Sequence, residues 1–251
     1  MTMQISFREY VLDPFQIQAI TELEQGHSLV LAAPTGSGKT LVAEYLIEKV
    51  LKTNRRIIYT SPIKALSNQK YRDFFRLHGD KIGILTGDVV INREAQVLIM
   101  TTEVYRNMVI EDPAIVADVA YVIFDEVHYL GDIERGTVWE ESLIFSPKTV
   151  RILALSATVP NSDELARWIE SVVDHHVAVI SHNDRSVPLS FLYYHQGALS
   201  TYKELVRRVS RPHPGQDDSG SDGRRGRKGV EESAQRHLDI VKTLRTQDRL
   251  P

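Results

Sequence analysis

The stretch SLVLAAPTGSGKTLVAEYLIEKVL, residues 28–51, constrains the fold more than any other part of the chain. A short apolar run enters a loop with glycines at 36 and 38, and Lys39 and Thr40 then open a segment of helical period. The loop Pro34, Thr35, Gly36, Ser37, Gly38, Lys39, Thr40 follows the G-x-x-x-x-G-K-[ST] spacing, except that Ala33 holds the first glycine position. Gly36 and Gly38 let the backbone curl until its N–H groups share one concavity, a cradle for phosphate oxygens. A helix beginning near Gly38 adds the positive end of its dipole. Lys39 would reach the β- and γ-phosphates of a nucleotide, and the Thr40 hydroxyl would ligate magnesium. Leu41, Tyr45, Ile47 and Leu51 are expected on the buried face of that helix, opposite Glu44, Glu48 and Lys52.

The same strand-then-helix alternation runs through most of the chain. The runs SLVLAAP, RIIYTSP, KIGILTG, QVLIMTT, YVIFDE, RILALSAT and HVAVIS have the near-continuous apolar character of strands covered on both faces. Alternation with amphipathic segments predicts an α/β fold, a mostly parallel sheet between layers of helices. Ligands of such sheets sit off the carboxyl ends of the strands. There YVIFDE delivers Asp125, placed to bind magnesium, and Glu126, aimed differently and suited to act as general base on an attacking water. The glycine loop and the acidic pair together point to an ATPase or GTPase.

With 251 residues, 42% hydrophobic and 25% charged, the chain has the composition of one large α/β domain or two small ones. Its formal net charge of −3 requires any nucleic-acid affinity to come from a local basic track. The absence of cysteine excludes disulfides, cysteine-zinc sites and iron–sulfur clusters, and suits a reducing compartment. The N-terminal residues lack the layout of a signal peptide, and no apolar run approaches the roughly 18 residues of a membrane span. A cytoplasmic protein with no membrane partner is expected. Residues 212–230, rich in Gly, Ser, Asp and Arg, cannot bury enough surface to offset their ordering entropy and are expected to be a disordered linker. Its GRRGRKG part reads as solvated linker ahead of a nucleic-acid contact. Residues 231–251 read as a helix with an apolar face and nothing after it to pack on, as in a truncated protein.

These motifs resemble a DExH-box helicase of superfamily two. The signature is DEVH followed about thirty residues later by SAT (Ser156 to Thr158), with APTGSGKT upstream. LDPFQIQAI, SPIKALSNQKY, LTGDVVIN, MTTEVYRNMV, DIERGTVWEES and SATVPNSDELARWI bring it closer to the superkiller-type branch, over roughly residues 8 to 195. The resemblance implies a RecA-like ATP-binding domain over 1–195 with a three-layer P-loop fold, a helical extension over 196–211, and ATP and Mg2+ as cofactors. Gln16 would read adenine and Tyr10 would stack on it. His128, Ser156 and Thr158 would couple the γ-phosphate side to the nucleic-acid side. Pro62, Lys64, Ala65, Thr86, Gly87, Thr102 and Glu103 would hold the sugar–phosphate of a single strand without reading its bases.

Such a helicase closes its ATP site with a second RecA-like domain bearing arginines. Nothing in this sequence resembles the Q-x-x-G-R-x-G-R stretch that carries them. Loss of an arginine finger costs roughly 10³ to 10⁵ in rate, so these residues alone are expected to bind nucleotide with magnesium and to turn it over very slowly. RNA is the favoured track; a repair-type DNA helicase and a nucleotide-gated clamp without unwinding are the alternatives. In DIERGTVWEES, Arg135 is read as pairing with a carboxylate and Trp139 as filling a core gap. His175 and His176, beside Asp174, are read as a surface pair, with no second ligand cluster at metal-binding spacing. Ser186, in RSVPLSFLYY, stands where the family has a proline, which bears on local rigidity.

Overall fold

In the computed structural model, residues 5–127, 136–157, 161–184, 192–195 and 198–204 are described. The chain divides into two units, residues 1–186 and 187–251. In the first, a hairpin of β1 (Ser6–Phe7) and β2 (Tyr10–Val11) precedes α1 (Pro14–Glu24). Next come β3 (Ser28–Ala32), α2 (Lys39–Val50), β4 (Arg56–Ser61), α3 (Lys64–His78) and β5 (Ile82–Leu85). They are followed by β6 (Val90–Ile91), β7 (Val97–Thr101), α4 (Thr102–Glu111) and β8 (Val119–Phe124). The unit ends with α5 (Gly136–Ile144), β9 (Arg151–Ser156), α6 (Ser162–Val173) and β10 (Val177–Ser181).

All seven runs expected as strands are strands of one eight-stranded sheet, ordered β10-β3-β9-β8-β4-β7-β5-β6. Pairing is parallel throughout, apart from the antiparallel β5–β6 edge. Helices on both faces explain why these strands carry no polar alternation. Leu29, Leu31, Leu46, Ile47, Ile57, Ile99 and Ile123 fill one face, and Val30, Val122, Phe124, Leu143, Ile152 and Ile169 the other. Each such side chain, fully buried, contributes about 1.5–3 kcal/mol. Trp139 is buried against Phe124, as expected of a gap filler, with ring centroids 5.0 Å apart. Gly83 is required by close approach: a Cβ there would lie 2.1 Å from the Asn92 carbonyl oxygen, where β6 folds back on β5.

The phase of α2 differs from expectation. Its buried face is Val42, Ala43, Leu46, Ile47 and Val50, while Leu41 and Tyr45 are only partly covered. Tyr45 lies toward the β1–β2 hairpin instead. Its ring meets Phe7 edge-on at 5.3 Å, and its hydroxyl donates to Glu24 at 2.8 Å. Arg8 completes that contact by pairing with Glu44 and Glu48, both at 2.6 Å.

In the second unit, β11 (Tyr193–His195) pairs antiparallel with β12 (Ala198–Ser200). β12 falls within the span 196–211, where among the described residues helical backbone occupies 202–204. The linker over 212–230, the helix over 231–251, Arg135 and Ser186 lie outside the described residues. Among the described residues no helix is long and apolar enough to cross a membrane.

Candidate nucleotide and nucleic-acid site

The parallel register brings the carboxyl ends of β3, β9, β8, β4, β7 and β5 to one edge of the sheet. The glycine loop leaves β3 there and is tied to its neighbour, the Ala33 N–H donating to the Ser156 carbonyl at 3.1 Å. Gly36 and Gly38 take φ of 83° and 91°, the left-handed region that side chains avoid. Gly38 caps α2, so the helix axis points its N-terminal amides into the loop. The Lys39 ammonium folds back over the curl, donating to the Ala33 carbonyl at 2.6 Å and the Pro34 carbonyl at 3.1 Å. Ser37 is buried in the same turn, and its hydroxyl has no partner among the described residues.

Gln16 belongs to this loop. It is 4% exposed, its Oε1 accepts from the Asp13 N–H at 2.9 Å, and its Nε2 donates to the Gly38 carbonyl at 3.1 Å. A Cβ on Gly38 would stand 2.6 Å from that same Nε2. The glutamine thus caps α1 with one end of its amide and braces the phosphate loop with the other. Replacing Gln16 by Ala orphans the Asp13 N–H and the Gly38 carbonyl together. We expect a loss of about 1–3 kcal/mol, read in thermal melting as a fall of several degrees; an unchanged melting temperature would mean that water replaces both bonds. Tyr10 lies on the hairpin, 51% exposed, and no bond joins it to Gln16.

Asp125 follows the last residue of β8, its N–H donating to the Thr60 carbonyl at 3.0 Å. Its Oδ2 accepts from the Tyr59 hydroxyl at 2.5 Å and its Oδ1 from the Glu126 N–H at 3.0 Å. Glu126 has φ of 56°, in the left-handed region that non-glycine residues rarely adopt. Burial, and after it the Asp125 charge, push the Tyr59 hydroxyl well above its usual range, so Tyr59 remains a neutral donor. Lys70, from α3, lies over the Tyr59 ring with its ammonium 5.7 Å from the centroid, and donates to the Thr40 hydroxyl at 3.3 Å. Thr40, Lys70, Tyr59 and Asp125 therefore form one connected patch beside the loop. The donors there, a hydroxyl and a carboxylate, are the hard oxygens that suit magnesium.

Sequence reading passed over Tyr59 and Lys70. A tyrosine within an otherwise aliphatic strand is the signal for the first, because a buried phenol needs a hydrogen-bond partner. Lys70 gave no comparable signal, since only the crossing of α3 over β4 carries it to Thr40.

The expected strand-binding residues gather beyond β8. β4, β7 and β5 are adjacent, so the segments following them are neighbours: Pro62 to Ala65, Thr102 and Glu103, and Thr86 with Gly87. α3 begins at Lys64 and α4 at Thr102, presenting two helix N-termini at the same edge. Lys64 and Ala65 are exposed; the Lys64 ammonium pairs with Asp88 at 2.7 Å, beside Gly87. Thr86 is buried, and its hydroxyl accepts from the Val89 N–H at 3.2 Å. Thr102 Oγ1 and Ser156 Oγ are buried without a partner among the described residues. His128 and Thr158 lie outside the described residues, so of the coupling trio only Ser156 is placed, at the end of β9.

Over 193 residues, 77% of the chain, it is 52% identical to Superkiller complex protein 2 of Mus musculus. Over an equal stretch it is 48% identical to the DExH-box ATP-dependent RNA helicase DExH9 of Arabidopsis thaliana. The matched stretch is 15% of the first relative and 19% of the second, so the chain spans only a minor part of their lengths. Among solved structures, the DUF1998 helicase MrfA bound to DNA and AMPPNP shares the fold with a TM-score of 0.55 at 19% identity, covering 70% of this chain and 27% of that one. Residues 13–165 match the DEAD/DEAH box helicase model, and the chain belongs to that family.

Proposed function

We propose that this chain is the ATP-binding motor domain of an ATP-dependent helicase whose track is single-stranded RNA. One observation carries the reading: the phosphate loop with Lys39 and the Asp125–Glu126 turn share a sheet edge with the helix N-termini at Lys64 and Thr102. A nucleotide at one part of that edge and a sugar–phosphate at the other would be linked through the rigid sheet between them. The loop amides and Lys39 bind the phosphates, and Gln16 keeps Gly38 in position and would read adenine. Thr40 and Asp125 are the residues that would hold Mg2+. When bound, the ion neutralises charge on the β- and γ-phosphates and orients them. Glu126 takes the proton from the attacking water. Ser156 lies between the loop and the strand groove and, with His128 and Thr158, would relay the state of the γ-phosphate.

The preference for RNA rests on the relatives named as RNA helicases. Contacts to phosphate rather than to base edges fit a motor that steps along any sequence. They also reconcile strand binding with the acidic net charge, because only a narrow groove has to be positive.

Fluorescence anisotropy with a labelled single-stranded RNA, with and without AMPPNP and Mg2+, tests the assignment. The expected outcome is nucleotide-dependent binding that weakens steeply as salt rises, reduced several-fold by Lys64→Ala. Binding indifferent to both salt and nucleotide would argue against a strand groove at this edge.

A further inference from the structure

The amino ends of the strands, opposite the nucleotide loop, carry a second cluster of ligating side chains. β10 and β3 pair in parallel with Val177 against Ser28, so the residues just before them, His176 and His27, are neighbours. Their rings meet at 5.0 Å and 89°. Glu22, near the end of α1, brings its carboxylate to 2.8 Å from His27 Nδ1. One ligand atom from each of Glu22, His27 and His176 lies within 4.8 Å of the others. Primary structure hid this grouping: Asp174 turns away to Lys148 at 3.2 Å and His175 turns to Ser28 at 2.7 Å, leaving His176 to meet partners far earlier in the chain.

The backbone beneath the cluster is fixed. The His27 carbonyl accepts from the Tyr121 hydroxyl at 3.2 Å, and its N–H donates to the Glu22 carbonyl at 3.2 Å. The Gly26 carbonyl accepts from Arg151 at 3.0 Å. Glu170 lies 3.7 Å from His176 Nδ1 and accepts from the Val177 N–H at 3.3 Å, the position of an outer carboxylate that orients a ligating imidazole. Tetrahedral bonds of about 2.0–2.2 Å set ligand atoms roughly 3.3–3.6 Å apart. Side-chain rotation covers the remaining contraction, because His176 is 59% exposed and Glu22 is 30% exposed.

We propose that Glu22, His27 and His176 bind a divalent transition metal ion of the zinc class, with water in the fourth position. Two imidazoles and one carboxylate select such ions over Mg2+ or Ca2+, which take all-oxygen sites. The bound ion joins α1 to the β10 edge of the sheet and acts as a structural clip, remote from the nucleotide loop.

Calorimetric titration of the untagged 251-residue chain with ZnCl2 tests this, together with Co2+ absorption and thermal melting. One equivalent is expected to bind with a dissociation constant on the order of micromolar. Co2+ should give the visible band of a tetrahedral site. Saturating zinc should raise the melting temperature by about 5 °C. His176→Ala, at an exposed position that the fold does not need, should weaken binding at least tenfold and remove the thermal shift, while Mg2+ should compete with neither ion. Zinc binding undiminished in His176→Ala, or no saturation below about 100 μM, overturns the proposal.

Discussion

Replacing Lys39 by alanine should lower the affinity for ADP and ATP by two to three decades while leaving the domain folded. The ammonium is already held at the mouth of the loop by the Ala33 and Pro34 carbonyls, at 2.6 and 3.1 Å. Its charge is therefore positioned before a phosphate arrives, and little further ordering entropy is lost on binding. Each charge-assisted hydrogen bond to a phosphate oxygen contributes about 1.5–3 kcal/mol. Loss of two such bonds comes to roughly 3–6 kcal/mol by that scale, and partial replacement by water brings the expected cost to about 3–4 kcal/mol. The loop itself does not depend on the lysine. The Ser37 N–H donates to the Pro34 carbonyl at 3.1 Å, the Leu41 N–H to the Gly38 carbonyl at 3.0 Å, and Gln16 braces Gly38 from below. Calorimetry should thus find nucleotide binding lost while the melting temperature stays within a few degrees of the unsubstituted protein. Lys39→Arg should not rescue it, because a planar guanidinium does not fit a curl shaped around a compact ammonium. Binding within threefold of the original in Lys39→Ala would remove the loop from the nucleotide site.

The parts of this fold that were legible in the sequence are those in which burial leaves one option. A strand covered on both faces must be apolar along its length, and RIIYTS or VLIMT could hardly be anything else. β6, β1 and β2 escaped notice because two-residue strands at an edge have no periodicity to read. The phase of α2 differs because the Tyr45 ring serves a local contact, with the β1–β2 hairpin and α1, rather than the sheet. At the site, Lys39, Thr40, Asp125 and Glu126 announced themselves by spacing. Tyr59 and Lys70 did not, since their meeting depends on the register of β4 against β8 and on the path of α3. His27 and His176 show the same limit at the other end of the sheet: only strand pairing makes neighbours of them.

Changing Glu126 to glutamine should separate hydrolysis from binding. In a form of the protein that turns ATP over, phosphate release stimulated by single-stranded RNA should fall by about 10²–10⁴, the span associated with a positioned general base. Affinity for ADP should stay within about threefold, a difference below 0.7 kcal/mol. The division follows from the turn. Asp125 is locked, one carboxylate oxygen accepting from Tyr59 and the other from the Glu126 N–H, so its orientation belongs to the fold. Glu126 takes part in that lock through its backbone N–H, which the substitution leaves in place. Glutamine keeps the length and the carbonyl acceptor of glutamate and adds no strain at this backbone position. It cannot accept a proton from water, and that is the single property removed. A structural role for Glu126 would instead show as a fall in melting temperature, or as weaker nucleotide binding in step with the loss of rate. Should the variant hydrolyse ATP at the original rate, the base must be sought elsewhere along the edge, and Asp125, an acceptor from Tyr59 on one oxygen and from the Glu126 N–H on the other, would be a poor substitute.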